Sequence, residues 1–179
     1  MTMKRFAFAV LMSAVAAFGA NACDDDNPVD PSQQPVVFTA QLSAANEVPP
    51  VTNADSTGRG TVTITFNLTR DASGAITSGT VTFNSPVEGF AAGTVVRAAH
   101  IHNGAAGVNA PVFIDTGLTA ANGITLANGS GTLSFQNVSG NTVTPTNLQA
   151  VIDNPAGHYF NVHTNLTPGG AIRGQLVRQ

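Results

Sequence analysis

All four histidines of this 179-residue chain fall in two short segments: His100-Ile101-His102, and His158 and His163 within Gly157-His-Tyr-Phe-Asn-Val-His-Thr164. Imidazole is the commonest protein ligand for zinc and copper, bound at about 2.0–2.1 Å. If both segments are β-strands, His100 and His102 share one face, about 6–7 Å apart at Cα, with Ile101 facing the core. On the second strand Phe160 and Val162 face the core, which turns Asn161 and His163 outward. Neighbouring strands would then bring His100, His102 and His163 together as a three-nitrogen site for Cu or Zn with an open position. The competing reading is structural: each ring hydrogen-bonds a nearby loop, through backbone carbonyls or the side chains of Thr164 or Asn103, and pins the turns at Asn103-Gly104 and Pro168-Gly170. His158 receives no role.

Two further residues stand out because charge is scarce. Only 9% of residues are Asp, Glu, Lys or Arg, against about a quarter in ordinary globular chains. Glu47, before Pro49-Pro50, and Arg173, in a strand whose Ile172, Gly174 and Leu176 face inward, are expected to pair with each other. With Asn161 they are candidates for a structural or ligand-contacting role. Seven basic residues against ten acidic ones leave no basic surface for nucleic acid. A single Cys excludes an internal disulfide and a cysteine metal cluster. No catalytic residue is assigned: the chain has no Gly-x-Ser-x-Gly elbow, no phosphate-binding glycine loop and no His-Glu-x-x-His.

The elements needed to position these residues read as strands. Val62, Ile64, Phe66 and Leu68 alternate with threonines and Asn67, the strongest period-2 run in the chain, and Phe38, Ala40 and Leu42 repeat the pattern. Weaker strands follow at 75–83, 95–102, 112–115, 132–138, 159–163 and 171–177, separated by Gly- and Asn-rich turns. One short helix is expected near 146–153, ended by Asn154-Pro155. The expectation is an all-β fold: an antiparallel Greek-key β-sandwich of about eight strands over residues 36–179.

Residues 1–22 read as a signal peptide: Lys4 and Arg5, an apolar stretch from Phe6 to Phe18, then Ala20-Asn21-Ala22. Cys23 follows directly, at a position that resembles a bacterial lipobox, although Ala20 stands where Leu is usual. Lipidation of Cys23 would anchor the protein to the membrane of the cell envelope; without it the protein would be secreted. Residues 23–35, acidic and proline-rich, read as a tether.

Four ordered motifs carry a family resemblance: Asn46-Glu-Val-Pro-Pro50, Ala98-Ala-His-Ile-His-Asn-Gly104, Tyr159-Phe-Asn-Val-His-Thr164 and Pro168-Gly-Gly-Ala-Ile-Arg-Gly-Gln175. The chain resembles the CHRD domain over about Phe38 to Leu176. That implies an extracytoplasmic β-sandwich module and brings no established activity. The His-x-His spacing is also similar to copper–zinc superoxide dismutase, but this chain lacks that enzyme's additional histidines and its cysteine pair. The expected function is a non-catalytic binding or structural module of the envelope, with a protein or glycan partner unspecified. The alternatives are a Cu- or Zn-binding envelope protein and an enzyme acting on envelope polymers.

Overall fold

The computed structural model describes residues 33–179; the signal peptide, Cys23 and most of the tether lie outside them. Ten strands and one α-helix follow in chain order: β1 (Val36–Ser43), β2 (Arg59–Arg70), β3 (Ile76–Glu88), β4 (Thr94–His102), β5 (Val112–Asp115), β6 (Ile124–Leu126), β7 (Gly131–Val138), α1 (Pro145–Asp153), β8 (Tyr159–Thr164), β9 (Ile172–Gln175) and β10 (Val177–Arg178). The alternating runs predicted to be strands are strands, and the helix lies where the sequence places it. Thr144 caps α1 by accepting the Asn147 N–H, and Pro145 sits in the first turn, where a missing N–H costs nothing.

All ten strands belong to one antiparallel ladder, in the order β5-β4-β8-β9-β1-β2-β3-β7, with β10 joined to β1 and β6 to β4. In a flat sheet β3 and β8, four strand spacings apart, would be separated by about 19 Å. Instead the ring of Phe83 on β3 stacks on Phe160 of β8 at 5.7 Å. The sheet therefore curls, and its two halves face each other as the layers of a sandwich would. Phe38, Ile64, Phe66, Phe83, Ile101 and Phe160, all fully buried, fill the space between. The neighbouring strands β1 and β9 approach closely at Gly174, where a Cβ would lie 2.0 Å from the Gln41 carbonyl oxygen.

Three details differ from the expected pattern. Strand β6 is a three-residue element too short to show a period. The last predicted strand is divided into β9 and β10, both of which pair with β1. In β4, Val96 pairs with Thr164 and Ala98 with His163, so Arg97 is an extra residue in a bulge. The bulge lets Val96 share the core with Ala99 and Ile101, which strict alternation forbids.

The stacked Phe83–Phe160 pair spans the curl, so its loss should be costly. Phe83→Ala is expected to destabilise the fold by about 3–5 kcal/mol in urea unfolding. Thr63→Ala, on the exposed side of β2, should change stability by less than about 1 kcal/mol. Equal effects would contradict the two-layer core.

Candidate metal centre and buried polar face

Cross-strand register sets the site. His100 lies opposite Asn161, and Asn161 opposite Arg173. One row across β4, β8 and β9 thus carries His100, Asn161 and Arg173, and the flanking positions on the same face carry His102, Tyr159 and His163. The opposite face of these strands holds Ile101, Phe160, Val162 and Ile172 and belongs to the core. Asn161, His163 and Arg173 do point away from the core, as their spacing requires. They are not exposed, however: they retain 2%, 7% and 2% of their accessible surface. Residues 44–58 and 103–111 fold over this face, so β8 is buried on both sides.

The covering loops supply the hydrogen bonds that solvent would otherwise make. His102 Nδ1 lies 2.9 Å from the Ala110 carbonyl oxygen and His163 Nδ1 lies 3.0 Å from that of Pro168. A carbonyl can only accept, so both rings carry their hydrogen on Nδ1 and leave Nε2 as a bare lone pair. His163 Nε2 lies 3.2 Å from His100 Nδ1; being bare, it accepts, and His100 donates. His102 Nε2 is buried and has no partner among the described residues. The His102 and His163 rings are pinned by loop carbonyls, as the structural reading expects; the side chains of Asn103 and Thr164, which it also offered, are not their partners. The hydroxyl of Thr164 instead donates to the buried carboxylate of Asp55 at 2.6 Å.

The structure brings the three predicted histidines together: one nitrogen from each lies within 4.8 Å of the others. A tetrahedral ion with bonds of about 2.0–2.1 Å sets its nitrogens about 3.3 Å apart. The His100–His163 pair already meets that spacing at 3.2 Å, and the His102 ring would have to swing inward by about 1–1.5 Å. Burial keeps all three rings neutral, the state that binds a metal. It pushes His163 down to about 4, with His100 beside it adding to the effect. It also lowers His100, against Asp115, and lowers His102, against its carbonyl partners.

Two neighbours of the histidines escape notice in the sequence. Asp115 pairs in register with His100 on β5 and places Oδ1 3.9 Å from His100 Nε2. Tyr159, the only tyrosine, stacks on His102 at 4.8 Å with the rings 8° from parallel, and the Arg173 guanidinium lies 4.7 Å from its centroid. His158 stands apart from the cluster, with Nδ1 on the Asn154 carbonyl and its ring against Phe113.

Glu47 and Arg173 are brought together as predicted. Arg173 Nε lies 3.5 Å from Glu47 Oε2. The guanidinium also donates to the carbonyl of Asn46 at 2.8 Å and, through Nη1, to Asn109 Oδ1 at 3.0 Å. Burial pushes the Glu47 carboxyl up to about 7, and Arg173 and a hydrogen bond from Asn161 only partly offset it. The other carboxylates of the domain have separate partners. Glu88 pairs with Arg59, Asp153 accepts from Gln149, and Asp71 caps its own turn.

The raised Glu47 has a testable consequence. The unfolded chain loses this proton near 4.5 and the folded one near 7. Between those values the folded state binds more protons, so this group's contribution to stability falls as pH rises, by about 3 kcal/mol in total. Glu47→Gln removes that dependence. The stability of the variant relative to wild type should therefore rise by up to about 3 kcal/mol between pH 5 and pH 8 in urea titrations. A constant difference would contradict the buried, proton-holding carboxyl.

No helix among the described residues is long and apolar enough to cross a membrane. A search of the curated proteins and of the solved structures finds no significant match. The model of the CHRD domain family matches residues 38–176, the whole of the curled sheet apart from its outermost residues. With the fold, the motifs and this match in agreement, the chain belongs to the CHRD domain family.

Proposed function

We propose that this protein is a non-catalytic binding module of the cell envelope whose His100, His102 and His163 take a copper or zinc ion. The observation that carries this reading is the orientation of two rings. His102 and His163 each commit Nδ1 to a backbone carbonyl, which leaves Nε2 for an ion; that of His163 lies 3.2 Å from His100 Nδ1, and one nitrogen from each of the three rings lies within 4.8 Å of the others. Metal-binding histidines are typically held in this way, their second nitrogen donating to a carbonyl or carboxylate. His100 fits the pattern from the other side. With Nδ1 toward the ion, its Nε2 faces Asp115, which could accept the hydrogen after a small approach. An all-imidazole set suits copper and zinc and disfavours magnesium and calcium, which favour oxygen ligands. The three rings leave a coordination position for a water or a partner's side chain.

The address follows from the sequence. A signal peptide over 1–22, a lipid on Cys23 and a tether to residue 35 would hold the domain at the envelope surface, or release it if Cys23 is unmodified. Membership of the CHRD family agrees with an extracytoplasmic setting.

Elemental analysis and zinc and copper titration of untagged protein test the metal. One equivalent per chain is expected, falling below a tenth in His163→Ala and in His102→Ala. Asp115→Asn should weaken binding about 10–100-fold. With His163 titrating near 4 and His100 and His102 both lowered by burial, protons compete poorly near neutrality, so affinity should vary little from pH 8 to pH 7. Sub-stoichiometric metal indifferent to both alanine variants would overturn the proposal.

A further inference from the structure

Beside the histidines, and separate from them, residues 45–50, 106–107 and 173–175 border a cavity of about 550 Å³ whose lining includes Glu47, Val48, Ala106, Arg173 and Gln175. That volume lies in the usual range for small-ligand sites. Two side chains of opposite charge in its wall are more than nine-tenths buried, Glu47 at 5% and Arg173 at 2% exposure. Each retains one polar atom without a hydrogen-bond partner among the described residues: Oε1 of Glu47 and Nη2 of Arg173. Unsatisfied buried charge is costly and calls for a partner.

A structural pin accounts for only part of this. Arg173 fastens both loops through Nε and Nη1, reaching Asn46, Val108 and Asn109. Glu47 offsets the buried charge of Arg173, but neither that pairing nor the fastening of the loops occupies Arg173 Nη2 or Glu47 Oε1. The two idle atoms are one donor and one acceptor, carried by side chains whose Nε and Oε2 lie 3.5 Å apart. A group that satisfies both must itself offer one acceptor and one donor at short spacing, which describes a secondary amide. Its carbonyl would take the Arg173 Nη2 hydrogen and its N–H would donate to Glu47 Oε1.

The geometry points to a peptide-binding site here: the Glu47–Arg173 pair receives a backbone amide of a protein segment, with Val48 and Ala106 contacting a small apolar side chain. Val48 is among the large apolar residues left exposed, at 37%. A peptide fits better than an acetamido sugar. The chain contains no Trp, and its one Tyr is buried between His102 and Arg173, so no aromatic platform lines the cavity for a sugar ring. The idle atoms are covered by the two loops. Entry therefore requires these to part, and the bond joining them directly is Asn109 Nδ2 to the Val48 carbonyl, 2.7 Å.

This site does not depend on a metal, and it is tested in metal-free protein by ¹H–¹⁵N NMR at pH 8, where Glu47 is ionised. The probe is N-acetyl-alanyl-alanine N-methylamide, which carries amides and small side chains but no charge. Saturable shifts confined to residues 45–50, 105–109 and 173–175 are expected. Glu47→Gln, close in size and neutral, should weaken binding about tenfold with the core resonances unmoved, since it replaces a charged acceptor with a neutral one. Non-saturating or scattered shifts would overturn the proposal, as would unchanged affinity in Glu47→Gln. Saturation by N-acetylglucosamine in place of the blocked peptide would overturn the peptide assignment.

Discussion

Strand β8 is buried on both faces, and one of those faces is polar. This constraint organises the rest of the molecule. A sheet face carrying three imidazoles, an amide and a guanidinium cannot be covered by apolar loops without leaving donors and lone pairs unmet. The covering segments therefore approach with their carbonyls: Asn46, Val108, Ala110 and Pro168 each accept from a side chain of this face. The fixed tautomers of His102 and His163 follow from that demand, because a ring that must donate through Nδ1 has only Nε2 left to offer.

The same covering explains the placement of small residues and of charge. Gly170 lies against Glu47 and Asn161, where a Cβ would come within 2.7 Å of both side chains, and its φ of +134° suits glycine. Pro168-Gly-Gly170 thus closes over the site while handing a carbonyl to His163. Tyr159 separates His102 from Arg173 and packs against both. The histidine cluster on β4 and β8 and the Glu47–Arg173 cavity beside β9 are accordingly neighbours on one face. Few charges remain elsewhere in the domain; on the surface Arg59 pairs with Glu88.

Most of the fold was legible because alternation on β1 and β2 is nearly complete: Phe38 and Ile64 must share a side, and they do. The histidine triad was legible for the same reason, since period 2 places His100 with His102 and core packing of Phe160 turns His163 outward. What alternation cannot convey is how deeply an outward face is covered. The roof over Asn161 and Arg173 comes from residues 44–58, more than a hundred positions away in sequence, and it is recognisable only through contacts such as Asp55 with Thr164. The Arg97 bulge was hidden likewise, because a run of Val, Val, Arg, Ala, Ala has no period to break. Asp115 gave no signal of its own; its place beside His100 is a matter of register between β4 and β5.

The central claim is that backbone carbonyls hold His102 and His163 as neutral rings with hydrogen on Nδ1, leaving Nε2 free for an ion. Long-range ¹H–¹⁵N spectra of the imidazole rings in the metal-free protein at pH 8 test it directly. The account predicts that both rings are neutral, with a protonated Nδ1 and an Nε2 shift typical of a bare lone pair. A protonated Nε2 on either ring, whether as the other tautomer or as imidazolium, would contradict it.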